Sequence, residues 1–273
     1  MSNNKLDKYE WYYSMLGNPE ALFPTINHEV HKLRRNSISP FFSTAAVARF
    51  HPKVQEVADR FTDRMKKAIA NDEPIPLFFA FRCLTVDIIC EYIFGKQLNL
   101  VDQGDWGKEF YSAWRALWEM SPLIRQLPWM LDLLRMTPRW VLEKTNPQAL
   151  QVLDMEASTD QWTREVLDAN PEEVKKQAYP TVLWEVAHSD QLPPQEKTFK
   201  RLAIDGNNIL AAGFETTGTA LSHHVYGVLA DPLIHQKLYK ELEAAIPDPS
   251  HIPSHQVLEK LPYLNAVVKE GIR

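Results

Sequence analysis

From Pro52 to Ala70 the apolar residues Val54, Val57, Ala58, Phe61, Met65, Ala68 and Ile69 recur at steps of three and four, opposite Lys53, Glu56, Asp59, Arg60, Asp63 and Lys66. That spacing predicts a helix with one buried face. After a turn at Asn71 to Pro76 comes LFFAFRCLTVDIICEYIFG, a second helix for which Gly95 is the stop. Upstream, polar helix formers fill 27–36, and Ser39-Pro40 before FFSTAAVARF marks a break and restart, with Ser39 or Ser43 as the cap. Between Gly104 and Lys144, Pro122, Pro128 and Pro138 divide a stretch holding Trp106, Trp114, Trp118, Trp129 and Trp140 into short helices. A helix over 160–170 precedes another through VKKQAYPTVLWEVA, and Ser189 to Pro194 is a loop. The next pattern runs from Glu196 to Ala230, about 35 residues or about 50 Å of helix, long enough to be a central element. Asp231-Pro232 opens a helix through Glu243, 246–254 is a loop, and VLEKLPYLNAVVKEGIR resumes the helical pattern. The expected class is mainly α, with no repeat, no sustained heptad and no internal domain boundary across 1–273.

Composition adds constraints. The chain has 273 residues, 45% of them hydrophobic and 24% charged, which suits a globular core. Nineteen prolines against nine glycines suggest helices separated by stiff breaks. A net charge of -5 supplies no global field for nucleic acid. No apolar stretch reaches the roughly 18 residues of a membrane span, and no signal-peptide pattern opens the chain. Cys83 and Cys90 would lie about 10 Å apart along a helix, too far for a disulfide, and two thiols alone make no structural zinc site. His28-Glu29-Val30-His31 is one residue too short for the metalloprotease pattern, so no metal site is expected there. His223 and His224 are adjacent, point in different directions on a helix, and read as packing or surface residues.

The richest chemistry lies in LAAGFETTGTALS, Leu210 to Ser222. Gly213, Thr216, Thr217, Gly218 and Thr219 are weak helix formers in the middle of a helical pattern. Ile209, Gly213, Thr216 and Ala220 share one face and leave room for a flat ligand. Glu215 beside a threonine hydroxyl is a candidate proton route. The alternative is structural: glycines for close packing, threonines bonded to local carbonyls, and a solvated Glu215.

Ala212-Gly213-Phe214-Glu215-Thr216-Thr217 resembles the oxygen-binding helix of cytochrome P450 monooxygenases. The resemblance makes Thr216 the distal threonine, Glu215 its neighbouring acid and Gly213 part of the cofactor-binding face. LPYLNAVVKEGIR resembles the P450 helix that carries a glutamate-any-any-arginine structural pair, here Glu270 and Arg273. TINHEVHKLRRNSISPFFS resembles the helix that contacts the heme propionates, with His31 and Arg35 as the carried-over pair and Lys32 and Arg34 adding positive charge. FRCLTVDIICEYIFG is similar to a P450 structural helix, in which Asp87 binds backbone groups or a nearby base. The tryptophan-rich stretch resembles the variable helices that border substrate entry; the alternative is that its large rings fill gaps between short helices.

The combination of DKYEWYYSMLG, HEVHKLRRNSISPFFS and LAAGFETTGTALS resembles fungal P450s of terpenoid and other secondary metabolism, trichodiene oxygenase-like proteins among them. The fold implied is a partial cytochrome P450 fold, a helical core without the N-terminal anchor and early sheet or the C-terminal heme-thiolate region. The implied reaction is heme-dependent oxidation of a hydrophobic small molecule with electrons from NADPH-cytochrome P450 reductase. In the family, the cysteine that binds the iron lies after the helix of Glu270 and Arg273, so this 273-residue chain is expected to be inactive, and cytoplasmic or peripheral to membranes. A full-length relative would be anchored in the endoplasmic reticulum membrane. Two other expectations stand beside it: an active monooxygenase represented by an incomplete gene model, and a non-enzymatic helical interaction protein.

Overall fold

A computed structural model describes residues 5–13, 20–177, 179–248 and 252–273. Ser14 to Gly17 of DKYEWYYSMLG, and 249–251 of the 246–254 loop, lie outside the described residues. Among the described residues the regular structure is entirely helical, with no strand. Its contacts fall into two compact units, Met1–Phe214 and Glu215–Arg273.

In the first unit, α1 (Glu10–Tyr13) is followed by α2 (His28–Ile38). The Asn27 side chain caps α2 by accepting from Glu29 N at 3.0 Å and Val30 N at 3.1 Å. Ser39–Phe42 is a single 3-10 turn, and Ser43, not Ser39, caps α3 (Thr44–Ala70). This helix begins eight residues before the apolar spacing announces it and carries Pro52 in its interior. Pro52 lacks an N–H, which costs one helical hydrogen bond. Ala46 and Phe50 nevertheless continue the buried stripe of Val57, Phe61 and Ala68 through the proline, and their burial offsets that loss.

Helix α4 (Leu77–Phe94) is the centre of this unit. Ala80, Cys83, Val86, Cys90, Ile93 and Phe94 are all buried on it, so its pattern is apolar around most of the circumference. Gly95 ends it in the left-handed region at φ 68°, a conformation that glycine adopts without strain. Asp87, fully buried, turns its carboxylate to the next segment and accepts from Leu100 N at 3.1 Å and Val101 N at 3.0 Å.

The prolines partition the aromatic stretch as its sequence implies: α5 (Lys108–Glu119), α6 (Ser121–Gln126), α7 (Trp129–Met136) and α8 (Arg139–Thr145). Helix α9 (Pro147–Leu167) is twice the length read from 160–170, because Asn146 caps it and Pro147 sits at its first position. It packs against α5 and α8. Of the helix expected through VKKQAYPTVLWEVA only the second half forms among the described residues, as α11 (Val182–His188), after a short α10 (Pro171–Val174) that ends where that segment begins. Pro180 disfavours helical geometry at the residue before it, and Thr181 restarts the chain by accepting from Trp184 N at 3.3 Å.

Helix α12 (Phe199–Ala230) has 32 residues. Its first half belongs to the first unit and is tied to α4 where Thr85 Oγ1 donates to the Phe214 carbonyl at 3.1 Å. The remainder of α12 forms the second unit with α13 (Pro232–Ala245), α14 (His255–Leu258) and α15 (Pro262–Ile272). Asp231 caps α13, accepting from Leu233 N at 2.8 Å. The Glu241 carboxylate of α13 accepts from Tyr263 N at 2.9 Å and Leu264 N at 2.8 Å, placing a negative charge at the N-terminus of α15. Among the described residues no helix is long and apolar enough to cross a membrane.

Candidate functional site

His31 and Arg35, four residues apart, share one face of α2. Together with Asn208, Ile209, Ala212 and Gly213 of α12, Ile89 of α4, and Ile38 and Phe42, they line a cavity of about 700 Å³. Residues almost two hundred positions apart in sequence thus meet at one site within the first unit. Neither His31 nor Arg35 forms an ion pair or a side-chain hydrogen bond among the described residues. Burial, followed by the nearby charges of Lys8, Arg35 and His28, pulls the His31 imidazole below its ordinary pKa. A neutral ring and an uncompensated guanidinium therefore edge a largely apolar space.

Gly213 has a second reason to be glycine. A Cβ built on it would lie 2.6 Å from Ile89 Cγ1, so contact with α4 forbids a side chain at this position. Asp205, the acid on the cavity wall, is already engaged: its Oδ1 accepts from Leu22 N at 2.8 Å and lies 2.5 Å from Arg201 Nη1. Arg34 does not add its charge to the cavity as expected. It is gripped instead by Glu196, Nε to Oε2 at 2.7 Å and Nη2 to Oε1 at 2.9 Å.

A second, smaller cavity of about 110 Å³ lies between α5, α9 and α12 in the same unit, lined by Trp114, Trp118, Met155, Asn207 and Asn208 among others. Trp114 meets Trp118 and Phe214 edge to face, with ring centroids 6.0 and 5.2 Å apart. Asn208 lines both cavities. Sequence reasoning passed over Asn207 and Asn208, although two consecutive asparagines are poor helix formers in a long helix and signal a role other than propensity.

Glu215 and Thr216 belong to the second unit. Thr219 Oγ1 donates to Glu215 Oε1 at 3.3 Å, and Thr216 is exposed. Glu270 and Arg273 are in contact, Nη1 to Oε2 at 3.6 Å, with both side chains at least three quarters exposed, a geometry worth at most about 1 kcal/mol by itself. His224 packs between helices, its Nε2 2.8 Å from the Val268 carbonyl oxygen.

Both cysteines are buried on α4 and free. Burial foremost pushes the Cys83 thiol up to about 12 and the Cys90 thiol well above its ordinary value. Neither lines the cavity of His31, Arg35 and Gly213.

The cytochrome P450 family profile matches residues 3–273. The chain belongs to the cytochrome P450 family. It is 32% identical over 276 residues to the cytochrome P450 monooxygenase MO6277 of Ascocoryne sarcoides, covering 98% of this chain and 54% of that protein. It is similar at 32% identity to the N-acetyltryptophan 6-hydroxylase of Emericella nidulans, over 97% of this chain and 52% of that one. It is also similar at 30% identity to the tryptophan 6-hydroxylase of Fusarium equiseti, over 100% of this chain and 53% of the relative. The chain thus spans about half the length of the curated P450 relatives it matches. A crystal structure of a cytochrome P450 superposes with a TM-score of 0.74 at 17% identity, over 98% of this chain and 59% of that one, which shows a shared fold.

The residues present fit part of the group that a P450 implies. An apolar cavity edged by His31 and Arg35 suits a flat macrocycle bearing carboxylates, because the cation has no protein anion to satisfy it. The thiolate is a different matter. Neither Cys83 nor Cys90 can supply it, since both are held as buried thiols away from the cavity.

Proposed function

We propose that these residues form the helical part of a heme-dependent monooxygenase that oxidises a hydrophobic small molecule of fungal secondary metabolism. The observation that carries this reading is the convergence of His31, Arg35 and Gly213 on one apolar cavity. Bound heme would supply oxygen activation, given a thiolate ligand and an electron donor. Arg35 and His31 would hold its carboxylates, while Ile89 and Ile209 would line the apolar wall beside the ring. By the same reading Thr216 and Glu215 would be the proton-handling residues, and Glu270 with Arg273 would be a structural pair. NADPH-cytochrome P450 reductase is the electron donor, and the complete enzyme sits at the endoplasmic reticulum membrane. Residues 1–273 act as a single P450-type domain.

As a 273-residue polypeptide the chain is catalytically inactive in this reading, because its own cysteines are buried thiols. The terpenoid class suggested by the sequence stands beside an aromatic class. The tryptophan-lined smaller cavity, and the names of two relatives that hydroxylate tryptophan derivatives, favour the aromatic one. Hemin titration of the purified chain tests the reading. Arg35→Ala is expected to weaken hemin at least about tenfold with unchanged helicity, as for loss of a charge-assisted hydrogen bond. Equal affinity in the two proteins counts against it.

A further inference from the structure

Asn208 is held in one orientation by its own helix. Its Nδ2 donates to the Ile204 carbonyl at 2.8 Å, and because a carbonyl oxygen only accepts, this bond fixes which end of the amide is which. Its Oδ1 accepts no hydrogen bond among the described residues. Asn208 is the residue common to the linings of the 700 Å³ and the 110 Å³ cavities, so a fixed, unused acceptor stands on the wall they share.

The smaller cavity around it is not a hydrocarbon slot. Trp114 Nε1 and Asn207 Oδ1 are buried without a partner among the described residues, and both residues line it. Its charged wall residues, Arg135 and Glu156, pair with each other at 3.4 Å. A self-neutralised ion pair, edge-to-face aromatic rings and an oriented amide oxygen favour a neutral, flat guest that brings a donor of its own.

We propose that Asn208 selects ligands by accepting, at Oδ1, a hydrogen bond from an N–H or O–H group on a flat apolar molecule. The proposal rests on the reading that these cavities receive a substrate, and it names what that substrate must carry. A plain hydrocarbon of the same shape would leave the amide oxygen desolvated and unpaired, which disfavours it relative to the donor-bearing molecule.

The test uses matched pairs on the 273-residue chain, with dissociation constants from ligand-observed NMR. Indole is compared with benzofuran, which has the same shape without the N–H, and 2-naphthol with naphthalene. The expected result is about tenfold tighter binding of the donor-bearing member in at least one pair. The pair that responds distinguishes N–H from O–H. In Asn208→Leu that preference falls to about onefold while benzofuran or naphthalene binds as before, and Asn208→Ala gives the same loss if the leucine variant is poorly folded. Equal affinity within both pairs, including absence of binding by any of the four, overturns the proposal. So does a preference that survives both substitutions. Hemin affinity keeps the two readings apart: lost donor preference with Arg35-dependent hemin binding retained refutes only the role of Asn208. The converse pattern refutes only the heme reading.

Discussion

Arg34 and Arg201 share one carboxylate, that of Glu196, with Arg34 Nε 2.7 Å and Arg201 Nε 3.1 Å from the same Oε2 atom. Arg34 comes from α2 and Arg201 from α12, so this acid binds the helix of His31 to the helix of Gly213 within the first unit. Arg34 Nη1 also donates to Thr25 Oγ1 at 2.7 Å, and Arg201 carries the network on to Asp205.

The hydrogen bond from Arg34, and then the two cations, hold Glu196 below the usual glutamate pKa. A depressed folded-state value means that stability is present above the unfolded value of about 4.3 and is lost as pH falls through the lower folded value. The midpoint of urea unfolding is expected to drop across that acid window. In Glu196→Gln the drop is smaller and the protein is already less stable at pH 7. An unchanged acid dependence in the variant would show that the network contributes nothing.

Asp87→Ala removes both backbone hydrogen bonds that order Leu100 and Val101 and leaves two N–H groups beside a buried void. A loss of about 2–4 kcal/mol in unfolding free energy is expected. Asp87→Asn keeps one acceptor and is expected to lose less. Equal stability of Asp87→Ala and the parent would remove the structural role.

In the second unit, a Cβ added at Gly271 would fall 2.4 Å from the Cδ2 atom of His224. Gly271→Ala is therefore expected to destabilise by about 1–3 kcal/mol through overpacking. In the double variant His224→Ala/Gly271→Ala the cost should be smaller than the sum of the single changes, because the clash disappears with the ring. Strict additivity in thermal unfolding would place the two residues out of contact.

Where the chain's chemistry was legible, it was local. The stop at Gly95, the helix opened at Asp231-Pro232 and the cuts at Pro122, Pro128 and Pro138 depend on neighbours in sequence, so residue type alone announced them. The start of α3 was legible in Ser43 as one of two caps, but its continuity past Pro52 was hidden because a proline imitates a terminus, and the tertiary burial of Ala46 and Phe50 keeps the helix going. The pairing of His31 and Arg35 came from the resemblance of their helix to the P450 helix that contacts heme propionates, but their meeting with Gly213 is a long-range fact that no local pattern holds. Arg34 was misread for the same reason: its partner, Glu196, lies far along the chain.

The buried thiols carry a spectroscopic prediction. A polypeptide of these 273 residues, supplied with heme, reduced and exposed to carbon monoxide, is expected to show no thiolate-type absorption band, even where histidine retains some heme. Ionising Cys83 or Cys90 would require exposing α4, the most buried helix of the first unit. A stoichiometric thiolate-type band from intact, monomeric chain, measured beside a full-length P450 control, would overturn the proposal that this polypeptide is inactive.

The central claim is that the cavity of His31, Arg35 and Gly213 takes a flat ring by its carboxylates, and metal-free protoporphyrin IX tests it without any redox chemistry. Its dissociation constant is compared, by fluorescence, with that of protoporphyrin IX dimethyl ester for the parent chain and for Arg35→Ala. The account predicts that the free acid binds the parent at least about tenfold more tightly than the ester, and that Arg35→Ala closes most of this gap. Equal binding of acid and ester by the parent chain, or a gap that Arg35→Ala leaves intact, would contradict it.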